Sequence, residues 1–115
     1  MNLRINPERL HQRLAALAAI GAIDGGGCAR LALSDADRAG RDLVCGWMRE
    51  LGLAVRIDAI GNVVGTRAGR TACDPVMTGS HIDTVATGGR YDGNLGVLAG
   101  LEVMATLNDA GIETE

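Results

Sequence analysis

The sequence predicts an α/β domain in which helices cover a sheet. Two well-capped amphipathic helical stretches come first, an alternating stretch with a Gly-Asn turn follows, and a long apolar helical run closes the chain. The element order that results is α-α-β-β-β-α, with no internal repeat or low-complexity segment to interrupt it.

Asn6-Pro7 opens the first helix, because asparagine is a strong N-cap and proline fits the first helical position, where its missing N–H is not needed. Leu10, Leu14, Leu17 and Ile20 mark one face, and Gly21 stops the helix. His11 lies beside that stripe and reads as an inert surface residue. Gly25-Gly26-Gly27 is a flexible connection; with no strand before it and no Gly-x-Gly-x-x-Gly spacing, it is not a dinucleotide site. Ser34 caps the second helix, and Asp35 and Asp37 fall in its first turn, where the helix dipole favours negative charge. Leu43, Trp47 and Leu51, at i, i+4 and i+8, are the expected buried face, with Trp47 as a core anchor and Gly52 as the stop.

Apolar residues at 53, 55, 57 and 59, the turn pair Gly61-Asn62 and the return Val63 to Thr66 predict a β-hairpin. A polar loop over 67–74 leads to a third short strand over 75–80, with Pro75 tolerated at its start. The helix from Leu95 to Ala110 is apolar on nearly every side and calls for cover all round. Gly96 and Gly100 within it predict close packing against a neighbour, and Gly111 ends it. Residues 112–115 begin what reads as a further strand, and an uncovered apolar helix beside an open strand predicts self-association.

The bulk numbers narrow the function. At 115 residues there is room for one core. A net charge of −3 without basic clusters argues against nucleic-acid binding. All eleven basic residues are arginine, so Schiff-base chemistry and a Walker-type lysine are excluded. Three widely spaced cysteines predict neither a disulfide framework nor a zinc knot, and point to a reducing cytoplasm. The N-terminus has no apolar leader and no window reaches membrane-spanning length, so the expectation is no signal peptide and no membrane partner.

The chemistry gathers in the stretch from Thr78 to Asn94. His81 and Asp83, two apart, project from one face if the strand continues through them. Asp92 follows eleven residues after His81, with Gly88, Gly89 and Gly93 freeing the backbone to bring it back. Spacing alone leaves two readings open: part of a metal site, or a hydrogen-bonded His81–Asp83 pair with Asp92 capping the next helix. Ser80 and His81 cannot form a nucleophile–base pair on a regular strand, because adjacent side chains point to opposite faces, and no Gly-x-Ser-x-Gly elbow is present. A phosphate cradle at Gly88-Gly89 conflicts with Asp92 at the same helix start, which would repel the anion.

Three stretches, Gly79-Ser-His-Ile-Asp-Thr-Val85, Gly88-Gly-Arg-Tyr-Asp-Gly93 and Leu95-Gly-Val-Leu-Ala-Gly-Leu-Glu102, resemble the signature of the hydantoinase/carbamoylase family of metal-dependent amidohydrolases. Arg30-Leu-Ala-Leu-Ser-Asp-Ala-Asp-Arg38 and Asp58-Ala-Ile-Gly-Asn62 match in content and order, so the resemblance covers essentially the whole chain. It implies a zinc-exopeptidase-like three-layer catalytic domain, of which residues 1–115 would be an incomplete N-terminal part. It implies His81 as a ligand of one metal, Asp92 as the carboxylate bridging two divalent ions (zinc, or manganese or cobalt), and Asp83 as the catalytic-site residue that orients His81. The implied reaction is hydrolysis of non-peptide C–N bonds in small linear amides and ureides such as N-carbamoyl amino acids or allantoate, with a glutamate as base. Family members are homodimers through an inserted domain. Neither that domain, the Glu-Glu pair nor the further histidines of the family have counterparts in these residues. Weak or no metal binding by this chain alone is therefore expected. The alternative expectation is a catalytically inactive remnant or interaction module.

Overall fold

Local capping decides where the helices begin. Asn6 Oδ1 accepts from the Arg9 N–H at 3.1 Å and Ser34 Oγ from the Asp37 N–H at 3.2 Å, each satisfying a donor that the first turn leaves free. The computed structural model describes residues 2–115, with α1 (Pro7–Ala18), α2 (Asp35–Glu50), β1 (Ala54–Ile57), β2 (Val63–Thr66) and α3 (Asn94–Asp109). Gly52 and Gly111 follow the caps of α2 and α3 at φ 79° and 63°, as expected of helix-ending glycines. The α/β class is therefore as the sequence predicts.

Leu14 and Leu17 of α1, Val44 of α2, Leu53, and Leu98 and Leu101 of α3 form one buried cluster. Each such side chain contributes roughly 1.5–3 kcal/mol by leaving water. On α2 the expected stripe does face the core: Leu43, Trp47 and Leu51 are half-buried and pack against the cluster, and the neighbouring row of Asp37, Gly40, Val44 and Cys45 is buried more deeply. Both stripes have helical spacing, and the one with the smaller side chains lies deeper. Trp47 sits at the boundary, with the Arg13 guanidinium 5.9 Å from its ring centre.

Strands β1 and β2 pair antiparallel, with Ala54 opposite Thr66 and Ile57 opposite Val63. The turn is tied by Asp58, whose carboxylate accepts from Asn62 Nδ2 at 2.8 Å and from the N–H groups of Asn62 and Ile60 at 2.9 and 3.1 Å. These bonds, the Asn62 side chain first, hold the Asp58 carboxyl below the usual carboxylate range.

The third strand does not form. Residues 75–80 pair with nothing in the two-stranded sheet, and Val76 and Met77 are 98% and 75% exposed. A strand is defined by its ladder, and among the described residues this segment has no ladder partner. It lies instead along the glycine side of α3: a Cβ on Gly96 would come within 2.8 Å of Ser80 Cβ, and one on Gly100 within 3.1 Å of Thr78 Cγ2. The close packing expected at those two glycines is thus present. Residues 112–115 form no strand either, although the Arg70 N–H donates to the Thr114 carbonyl at 2.9 Å. Cover over α3 is one-sided, with Leu95 and Val103 each 46% exposed. No helix among the described residues is long and apolar enough to cross a membrane.

Besides Asn94 at its first position, this apolar helix buries a carboxylate. The Glu102 carboxylate, 1% exposed, accepts from Arg9 Nε and Nη2 and from the Asn6 N–H, each at 2.8 Å, and from Thr106 Oγ1 at 3.2 Å. Arg13 Nη1 approaches it to 3.8 Å without a hydrogen bond of its own. This cluster bolts α1 to α3.

Candidate functional site

A glycine turn brings the two ends of the chemistry-bearing stretch together. At Gly93, φ is +70° and ψ is −50°, and the Asn94 N–H donates to the Asp92 carbonyl at 2.8 Å. That is a γ-turn of positive φ, a strained conformation that glycine adopts most readily. It sends Asp92 back toward His81 just before α3 begins. Gly93 also lets His81 approach: a Cβ there would lie within 2.5 Å of His81 Cε1 and 2.6 Å of Nδ1.

His81, Asp83 and Asp92 consequently meet. His81 Nδ1 stands 2.9 Å from the Asp83 backbone carbonyl oxygen and 3.3 Å from Asp83 Oδ1. A carbonyl can only accept, so Nδ1 carries the proton in that bond and a neutral ring keeps its lone pair on Nε2. On the Nε2 side, Asp92 Oδ2 lies 3.8 Å away. The hydrogen-bonded pair of the simpler reading is therefore present, but the cap is not: Gly93 is the N-cap of α3 and no side chain caps it. The side chains of His81 and Asp92 are 51% and 84% exposed, so the space between them is open.

Four further residues hold this loop, and sequence reasoning gave none of them a role in the site. The segment 28–30 runs beside 84–88, with mutual N–H to carbonyl bonds of 2.9 Å between Cys28 and Gly88 and a Thr84 N–H to Arg30 carbonyl bond of 2.7 Å. Thr84 Oγ1 accepts from the Arg30 N–H at 2.8 Å. Arg30 itself is fully buried and donates from Nε to the Ile82 carbonyl at 2.9 Å and from Nη2 to Asn94 Oδ1 at 3.0 Å. Asn94, also fully buried, donates from Nδ2 to the Arg90 carbonyl at 3.0 Å. The available signal was an arginine standing in the otherwise apolar stretch from Cys28 to Leu33.

An imidazole Nε2 beside a carboxylate oxygen is a donor pair that suits zinc, manganese or cobalt. These residues fit part of a metal's donor set. They do not complete one, since a catalytic zinc usually takes three protein ligands and no group of three able to hold an ion occurs among the described residues.

Comparison with known proteins places the chain. No family model matches it. It is 47% identical over 116 residues to the N-carbamoyl-L-amino-acid amidohydrolase of Rhizobium meliloti, covering 99% of this chain and 28% of that one. Allantoate amidohydrolase of Bacillus subtilis is 42% identical over 94 residues, covering 81% and 23%. A hydantoinase/carbamoylase family amidase of Burkholderia ambifaria superposes with a TM-score of 0.96 at 54% identity, over 98% of this chain and 28% of its own. In sequence and fold the chain thus matches part of enzymes named as amidohydrolases and amidases. It belongs to the hydantoinase/carbamoylase family, and it spans about 28% of the length of the first of these relatives.

Proposed function

We propose that the chain supplies one wall of the active site of a metal-dependent hydrolase that cleaves amide or ureido C–N bonds in small linear substrates such as N-carbamoyl amino acids or allantoate. The observation that carries this reading is the orientation of His81: Nδ1 is tied to Asp83, which leaves Nε2 toward the Asp92 carboxylate at 3.8 Å. In this reading His81 and Asp92 hold metal, with Asp92 placed to bridge two ions, and Asp83 keeps the ring in the tautomer and rotation that binding needs. A divalent ion there, zinc or else manganese or cobalt, supplies Lewis acidity toward the scissile carbonyl. The names of the relatives support the substrate class. Free Cys28, Cys45 and Cys73 support a reducing, cytoplasmic setting.

The donor pair favours a second statement about the 115 residues taken alone. With two donors in place, they bind zinc weakly and turn over nothing until further donors and a general base are supplied. Zinc titration of the purified chain, followed through the histidine NMR signals, tests both. Binding is expected to perturb His81, spare His11 and disappear in His81→Ala. Zinc binding that survives both His81→Ala and Asp92→Ala would refute the metal reading. Zinc-dependent hydrolysis of an N-carbamoyl amino acid by this chain, lost in His81→Ala, would refute its catalytic incompleteness.

A further inference from the structure

Arg30 is a buried cation to which the hydrolytic reading gives no task. Its guanidinium is fully buried and pairs with no carboxylate among the described residues. Removing a charge from water costs several kcal/mol, so its donors have to be answered where they lie. They are answered by three separate segments. Nη1 donates to the Leu17 and Ile20 carbonyls at the end of α1, at 2.9 and 2.6 Å, where helix-terminal carbonyls favour a cation. Nε donates to the Ile82 carbonyl, between His81 and Asp83, at 2.9 Å. Nη2 donates to Asn94 Oδ1, two residues beyond Asp92, at 3.0 Å.

The planar fork has a fixed span, unlike the single ammonium of a lysine. One side of it holds the segment carrying His81 and Asp83; another holds the start of α3, which carries Asp92 through Asn94 and the Gly93 turn. From behind, Gly40 of α2 lies close enough that a Cβ would come within 2.9 Å of Arg30 Cδ, which limits the stem to one path.

We infer that Arg30 is the positioning residue of this half-site: it sets the separation of His81 Nε2 from the Asp92 carboxylate without touching metal or substrate. The inference rests on the metal-binding reading above. It assigns the buried fork to the geometry of the ligand pair, in addition to its contribution to the fold.

The test uses the full chain, labelled with nitrogen-15. Its two histidines make the spectrum simple, and His11, exposed on α1, is the internal control. Wild type is compared with Arg30→Lys and with Asn94→Ala, which removes the Asp92 arm of the fork together with the Asn94 bond to the Arg90 carbonyl. Circular dichroism and Trp47 fluorescence establish that each variant is folded. In alkaline buffer, with the ring neutral, wild-type His81 is expected to show the Nδ1–H tautomer that its contact with the Asp83 carbonyl selects. In Arg30→Lys that preference is expected to relax. In Asn94→Ala it should persist, because the Ile82 contact remains. Zinc alone is then titrated, and both variants should bind roughly 10–100-fold more weakly than wild type, as follows from loosening the groups that orient a ligand. If Arg30→Lys does not fold, Asn94→Ala decides. Folded variants that keep wild-type zinc affinity overturn the role of Arg30. A wild-type His81 that ignores zinc overturns the metal reading instead, so the two failures are distinct.

Discussion

Replacing Glu102 with alanine is expected to destabilise the fold by about 3–5 kcal/mol, the usual result of removing one partner from a buried ion pair. For a domain of this size that lowers the melting temperature by on the order of 10–20 °C. The size of the effect follows from what is left behind. Arg9 would keep only its bond to Asp109, and the Asn6 N–H would lose its acceptor. Arg13, whose side chain is 12% exposed, would lose the only carboxylate within reach among the described residues. Burial already pulls the Arg13 guanidinium below its ordinary pKa, so it tolerates the loss of a counter-charge poorly. The same cluster predicts an acid effect. The hydrogen bonds from Arg9, ahead of the Asn6 N–H, hold the Glu102 carboxyl below the ordinary range. The stabilisation is therefore complete above the unfolded-state pKa of about 4.3 and is lost as the pH falls through the lower folded value. Urea midpoints measured across that acidic interval should fall for wild type and stay flatter for Glu102→Gln. A wild-type midpoint insensitive to acid would contradict the ion-pair account.

The second large effect is expected at Gly93. Alanine there must take φ +70° in a γ-turn, which costs about 1–3 kcal/mol, and its Cβ must also displace the His81 ring and backbone. Either His81 moves or the turn opens, and both separate Nε2 from Asp92. Gly93→Ala should thus lose roughly 2 kcal/mol or more of stability and at least about tenfold in zinc affinity. Urea unfolding and the same zinc titration read the two losses separately. His81 signals identical to wild type in a folded Gly93→Ala chain would show that the close approach is not needed.

What could be read from the sequence is what depends on near neighbours. Asn6-Pro7, Ser34, Gly52 and Gly111 mark helix ends because a cap is settled within four residues. The hairpin is local in the same sense, being closed by Asp58 and Asn62. The return of Asp92 to His81 was legible because glycines bend the intervening loop. Residues 75–80 show the opposite case: a short apolar run with proline tolerated at its start reads as a strand, but a strand also needs a partner, and none lies beside them among the described residues. Arg30 was barely legible for a related reason. The apolar stretch around it is the one local sign, and its acceptors at Leu17, Ile20, Ile82 and Asn94 come from three segments that only the fold assembles. The stripe of Leu43, Trp47 and Leu51 on α2 was legible from its period and packs against the core, but only the fold shows that the neighbouring row with Gly40, Val44 and Cys45 lies deeper.

The bond from His81 Nδ1 to the Asp83 carbonyl has an evolutionary consequence. Part of what selects the ring's tautomer is main chain, which every amino acid at position 83 would bring with it. Drift at that position can delete the carboxylate and leave the carbonyl in place. The readiness of the imidazole is to that extent inherited with the path of the backbone. A lineage that lost Asp83 would begin its repair from a histidine still turned the right way.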